Sequence, residues 1–267
     1  MTTFRTVRIA LFAVIVALAA ALGGAIPAAA QSLPTVVLVH GAFADPTSWD
    51  GVAERLRGQG YQVLAPDNPL RGPAHDAAAI QSVLDTVEGP IVLAGHSYGG
   101  FVISNVHDPD VVSVVYVAAF APTQGEFAQL ALDPIRFPGS QLLPPALQVK
   151  VVDDPAGLAG RNLDAYVAPD RFHEVFAQDV DDATAAQMIA HQQSIAVAAN
   201  LEPSGPPSWV GVPSWYLVSA QDRVIPPSSQ RFMAGRMGAQ VSELDASHAS
   251  LVSRPDEVAA AITTAAG

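Results

Sequence analysis

Two spacings of apolar residues alternate along this chain. Thr35–Val39 is a continuous apolar, β-branched run, the pattern of a parallel strand covered on both faces. Residues 49–57 change period: Trp49, Val52, Ala53 and Leu56 stand at helical spacing, and Gly58 and Gly60 end the segment. A second strand is predicted over 61–65, stopped by Pro66. A helix follows over 75–87, burying Ala78, Ile80, Val83, Leu84 and Val87 before Gly89-Pro90 breaks it. The short run from Ile91 to Ala94 reads as a third strand, 101–107 as helix-compatible and 111–120 as a fourth strand. This alternation specifies an α/β class protein with a doubly wound, mostly parallel sheet and right-handed crossovers.

The pattern breaks over 121–212. Prolines are frequent there, no strand is predicted, and helices are expected at 170–177 and 182–199. Apolar positions such as Phe172, Phe176, Met188 and Ile195 give these helices faces to bury, which argues for a helical cap or lid rather than a disordered linker. The sheet resumes at Ser214–Ser219. A helix over 226–237, a last strand at Gln240–Leu244 and an alanine-rich helix over 257–265 complete a domain expected to span residues 31–267.

Gly95-His96-Ser97-Tyr98-Gly99 fits G-x-S-x-G between a predicted strand and a predicted helix, the context in which a sharp turn holds a serine out as a nucleophile. A serine hydroxyl needs a base within reach and a third group to orient that base, in the chain order Ser, acid, His. Asp222 follows the strand at Ser214–Ser219, and His248 follows Gln240–Leu244; of the seven histidines, His248 alone lies beyond Asp222. Glu126, beyond the preceding strand, competes with Asp222 for the acid's role, and ordinary loop positions remain the alternative reading of all three triad candidates. The backbone N–H of Tyr98 is expected to serve as an oxyanion donor. His40 is expected to shape its loop and His96 to pack in the elbow. The other histidines lack a ligand spacing such as H-E-x-x-H, so no metal is implied.

Composition narrows the partners. With 13 Lys plus Arg against 25 Asp plus Glu, and Lys150 the only lysine, the chain is expected to repel nucleic acid and anionic membranes. With nucleic acid and anionic membranes disfavoured, a small-molecule partner is expected. Residues 1–30 have the three regions of a secretory signal peptide: Arg5 and Arg8, an apolar run over 9–22, and the small-residue site Ala28-Ala29-Ala30. Their removal loses two arginines and no acid, taking the formal charge from -12 to -14. The mature protein is expected to be secreted or periplasmic, without stable membrane association. The absence of cysteine excludes a disulfide framework.

Val36-Val37-Leu38-Val39-His40-Gly41-Ala42, Gly95-His96-Ser97-Tyr98-Gly99-Gly100, Val117-Ala118-Ala119-Phe120 and Ala246-Ser247-His248 together resemble the α/β-hydrolase superfamily. Within it they are similar to the small-lid branch of plant methyl-ester esterases, hydroxynitrile lyases and bacterial carboxylesterases such as pyrethroid hydrolases. The resemblance covers the mature chain, with the lid matching only in length and position, and the family's β-hairpin before the first strand is not expected, because the mature chain is expected to start close to Thr35. It implies an exported, cofactor-free serine carboxylesterase with Ser97, Asp222 and His248 as triad and Ala42 as the second oxyanion donor. Phe43, Phe172 and Phe176 are expected to contact substrate, with Phe127, Leu130 and Leu132 on the same wall; the alternative reading is that these aromatics only hold the lid to the core. Hydroxynitrile lyases of this branch carry a lysine directly after the histidine, where this chain has Ala249. Lactonase and perhydrolase chemistry use the same apparatus, and some relatives use the pocket as a receptor. Exported protein is expected to start within a few residues of Gln31; intact-mass measurement after secretion from a suitable bacterium checks this, and an unprocessed, membrane-anchored Met1 form contradicts it.

Overall fold

The computed structural model describes residues 33–267, so the expected signal peptide lies outside the described residues. Six parallel strands form the central sheet: β1 (Thr35–Val39), β2 (Val63–Leu64), β3 (Ile91–His96), β4 (Val111–Val117), β8 (Ser214–Ser219) and β9 (Gln240–Leu244). Their spatial order is β2-β1-β3-β4-β8-β9, which puts β3 beside β1 and β4 in the middle of the sheet. The continuous apolar runs divide residue by residue between two faces. Val36, Leu38, Val92, Ala94, Val115 and Val117 pack under the helices α1 (Asp50–Gly58) and α9 (Pro255–Ala266), with Trp49, Val52, Leu56, Val258 and Ile262. Val37, Val39, Leu93, Val114 and Tyr116 face α2 (Pro73–Leu84), α3 (Tyr98–Ile103) and α7 (Pro227–Met237). Strands buried on both faces have no polar side to show, hence the runs without alternation.

Several boundaries move. The second strand shrinks to Val63–Leu64 at the sheet edge. The fourth stops at Val117 because Ala118 adopts a positive φ of 44° and turns the chain. The helix after Ser97 begins at once, at Tyr98.

The larger correction is in the segment between β4 and β8. It contains a three-stranded antiparallel sheet where no strand is expected: β5 (Leu147–Leu158), β6 (Arg161–Val167) and β7 (Ile195–Ala196). The hairpin of β5 and β6 stands largely in solvent, with Val149 57% and Val151 64% exposed, so no buried apolar run marks it; the alternations Leu147-Gln148-Val149-Lys150-Val151 and Leu163-Asp164-Ala165-Tyr166-Val167 are its signal, each only five residues long. Two helices, α5 (Pro169–Phe176) and α6 (Asp182–Ala190), match the expected ones, but the second ends early. Gln192 pairs with the backbone of Val167, and the Gln193 carbonyl accepts the Phe43 N–H, drawing the chain out of the helix toward β7. Tertiary hydrogen bonds outweigh alanine's helix propensity here. Arg71 fastens this segment to the core: its guanidinium donates to both carboxylate oxygens of the buried Asp164, at 2.9 and 2.7 Å, and to Asp154 at 3.3 Å.

Candidate active site

Ser97 sits between the end of β3 and the start of α3 with φ 52° and ψ −121°, a conformation sparsely populated by residues other than glycine. The turn closes because its neighbours lack side chains. A Cβ on Gly95 would stand 2.6 Å from the Gly99 carbonyl oxygen, and one on Gly41 only 2.7 Å from the Ser97 Cβ and 2.9 Å from the His96 carbonyl oxygen. The loop after β1 therefore lies against the elbow.

The residues expected to act together come together. His248 Nε2 is 2.9 Å from Ser97 Oγ, and its Nδ1 is 2.6 Å from Asp222 Oδ2. With a carboxylate at Nδ1, that nitrogen carries the proton and Nε2 presents its lone pair to the serine hydroxyl, an assignment made from the partners. All three residues are buried. Asp222 needs compensation for its burial and has it: Oδ1 accepts the Val224 and Ile225 N–H groups at 2.7 and 2.9 Å, and Oδ2 accepts the Gln230 amide at 2.8 Å. Gln230 carries no signal in the sequence, since its role depends on α7 packing against the loop after β8. Glu126 is elsewhere. It accepts from Arg236 at 2.6 Å and from the Thr123 N–H at 2.9 Å; half-burial alone would raise its pKa, but these partners hold it below the usual carboxylate range.

His40 and His96 support the site. The His40 Nδ1–H donates to the Gly41 carbonyl and its Nε2 accepts the Asn68 N–H, both at 2.9 Å, which ties the loop after β1 in place. Burial lowers its pKa and keeps the ring neutral. The His96 Nε2–H donates to the His248 carbonyl oxygen at 2.9 Å. Burial first, and His248 beside it second, hold His96 well below the ordinary imidazole range.

Ala42 and Tyr98 line the same cavity as Ser97. The Phe43 N–H is taken by the Gln193 carbonyl oxygen at 3.0 Å, whereas no hydrogen-bond acceptor meets the Ala42 or Tyr98 N–H among the described residues. Two free backbone donors beside the serine fit an oxyanion hole. The Tyr98 side chain is also fixed: its hydroxyl donates to the buried Asp76 at 2.9 Å, and burial together with that carboxylate pushes the phenol pKa well up.

The cavity has a volume of about 450 Å³. Phe43 lines it as expected, as do Leu130 and Leu132. Phe172 and Phe176 do not. Both are fully buried and stacked on each other with centroids 4.8 Å apart, and Phe176 meets His248 edge-on at 4.7 Å. Phe127 is likewise outside this cavity. Leu142, Leu143 and Leu147 take their place. These leucines stand on a loop and a strand start without periodicity, so the sequence offers no face on which to group them.

Residues 36–261 match the model of the alpha/beta hydrolase family. The chain belongs to this family. It is 30% identical over 260 residues to a pyrethroid hydrolase of Sphingobium wenxiniae, covering 87% of each chain. It is 37% identical over 117 residues to a carbendazim hydrolyzing esterase of a Nocardioides species, covering 38% of this chain and 48% of that one. The crystal structure of a pyrethroid hydrolase from Sphingobium faniae superposes with a TM-score of 0.72 at 25% identity, covering 87% of this chain and 97% of that one. Family membership agrees with the sheet order and with the strand, turn and helix around Ser97.

The two candidate acids are separable. Asp222→Asn is expected to lower kcat by up to ~10⁴-fold, because an amide leaves His248 in the wrong tautomer, whereas Glu126→Gln leaves kcat close to wild type. Steady-state kinetics on an aryl ester check the ranking, and the opposite ranking reassigns the acid.

Proposed function

We propose that this alpha/beta hydrolase is an exported carboxylic ester hydrolase that works through an acyl-enzyme on Ser97. The observation that carries the reading is the unbroken hydrogen-bond path from Ser97 Oγ through His248 to Asp222, at 2.9 and 2.6 Å, on a strained elbow beside an apolar cavity. The names of the Sphingobium and Nocardioides relatives support hydrolysis in general and ester cleavage in particular. Export rests on the signal-like composition of residues 1–30.

The geometry gives each group one task. His248 Nε2 takes the proton of Ser97 as Oγ attacks the ester carbonyl carbon. The oxygen that becomes negative meets the Ala42 and Tyr98 N–H groups, which are fixed before reaction and need no reorganisation. Asp222 holds the imidazole and stabilises its cation. His248 then protonates the departing alcohol, leaving an acyl ester on Ser97. Water attacks that ester, giving its proton to His248, and the acid leaves as Ser97 recovers its own.

The cavity favours neutral, largely apolar acyl groups. Leu130, Leu132, Leu142, Leu143 and Leu147 dominate its wall, and Asp133 is the charged residue that lines it. The arginines of the segment between β4 and β8 are engaged elsewhere. Arg136 covers the Phe232 ring at 4.1 Å, Arg171 pairs with Glu174 at 3.0 Å, and Arg161 stands 3.9 Å from Asp153. An anionic acyl group therefore meets no cation and one carboxylate.

Ser97→Ala is expected to fold normally and to lose ester hydrolysis by ~10⁴-fold or more, together with all labelling by a fluorophosphonate probe. Retention of a tenth of the wild-type rate after repurification would refute the assignment. Leu142→Ala is expected to shift the acyl-length optimum upward, changing relative kcat/KM by about tenfold across the series. A dicarboxylate monoester is expected to be a poorer substrate than its neutral diester. A competition assay over graded esters measures both effects; preference for the anionic ester would overturn the charge argument.

A further inference from the structure

The loop that carries His248 is held from two sides. On the sheet side, Asp222 takes Nδ1 and the His96 imidazole donates to the His248 carbonyl oxygen. On the other side stands the segment between α5 and α6. Phe176, at the end of α5, meets the imidazole edge-on at 4.7 Å. Asp179 reaches across to the backbone: its Oδ2 accepts the Ser247 N–H at 2.9 Å and the Ser253 hydroxyl at 2.7 Å. Ser247 is the residue before His248, and its own Oγ accepts the Ala249 N–H at 3.0 Å. One carboxylate oxygen thus fixes the peptide that leads into the histidine and, through Ser253, the short helix α8 (Ser250–Ser253) that follows it. The other oxygen, Oδ1, is buried and has no partner among the described residues. Half-burial alone would raise the Asp179 pKa, but the Ser247 and Ser253 hydrogen bonds hold it below the usual range, so the acceptor is a charged one at neutral pH.

We propose that Asp179 is a positioning residue for His248, holding the histidine loop in the register at which Nε2 reaches Ser97 and tying that register to the seating of the segment over the cavity. The inference rests on the serine-hydrolase reading above. A base 2.9 Å from its nucleophile tolerates little displacement, since misplacement by about 1 Å costs about 100-fold in rate. Asp179 does not meet the reacting atoms, so its removal acts on turnover rather than on substrate affinity.

The test uses the full chain with three changes at this position. Asp179→Ala is expected to lower kcat, and the rate of fluorophosphonate labelling of Ser97, by about tenfold to 100-fold with KM nearly unchanged. Asp179→Asn keeps a side-chain oxygen for the Ser247 N–H and recovers most of that loss. The downfield proton resonance of His248 Nδ1–H is expected to persist in the asparagine variant and to broaden or shift in the alanine variant. A purely structural anchor gives a different result: a lower Tm, with wild-type kcat and an unchanged resonance in the folded alanine variant, which overturns the proposal. Should Asp179→Ala fail to fold, Asp179→Glu displaces the carboxylate by one methylene; lower kcat at unchanged KM supports the proposal, and wild-type kcat overturns it. Ser97→Ala measured in parallel separates the two levels. Hydrolysis persisting in that variant overturns the serine reading itself, whereas its loss beside wild-type rates at Asp179→Ala overturns only the role of Asp179.

Discussion

The backbone of Ser97 is the constraint on which the rest of the structure turns. A residue other than glycine at φ 52° costs of order 1–3 kcal/mol and persists only where its surroundings over-determine it. Here the surroundings are the middle of a parallel sheet. β3 is hydrogen-bonded on both edges, all six of its residues are buried, and the helix that follows begins at the next residue. The Ser97 carbonyl oxygen then accepts from both Gly100 and Phe120, fastening the turn to its own helix and to the end of β4. Gly41 is needed because the loop after β1 lies against Ser97 and His96, and Gly95 because the elbow folds back on its own backbone at Gly99 and Gly100. The same closeness brings Ala42 and Tyr98 into the lining of the cavity that Ser97 faces. Strain, glycine usage and the candidate oxyanion hole are thus consequences of one packing arrangement.

The electrostatic arrangement follows from depth. His248 and Asp222 lie out of water, where an unpaired carboxylate would be destabilising by several kcal/mol. Four donors around Asp222 supply that compensation, and three of them come from the loop and helix immediately after β8. The carboxylate organises its own loop before it orients the histidine. Glu126 shows the contrasting case. Its partner Arg236 also donates to the Ala121 carbonyl oxygen, so this ion pair joins the exit from β4 to α7, and no imidazole is among its partners.

The segment between β4 and β8 has two relations to the site. It supplies leucines to the cavity wall, and through Phe176 and Asp179 it packs on the loop of the candidate base. The aromatic pair at Phe172 and Phe176 belongs to the second relation. Spacing at i and i+4 put both rings on one face of a helix, and that much holds. Which body the face met was open: the two rings stack on each other, and Phe176 meets Phe43, His96 and His248 edge-on, instead of facing the cavity.

By itself the sequence determined whatever depends on order and local period. Buried parallel strands cannot alternate, so their apolar runs are visible; G-x-S-x-G between a strand and a helix names its turn; and the order Ser97, Asp222, His248 leaves one histidine for the base. Only the tertiary structure decided what depends on a partner distant in the chain. The β5 and β6 hairpin is held by its ladder and by Arg71 while most of its side chains remain in water, so its short alternations carry no buried run that would set them apart from loop. The choice between Asp222 and Glu126 came from which carboxylate meets an imidazole and which meets a guanidinium. The cavity wall was assembled from leucines of one loop and one strand start, and Asp179 meets Ser247 across 68 residues of chain. Periodicity reports which side of an element is covered; it carries no record of what covers it.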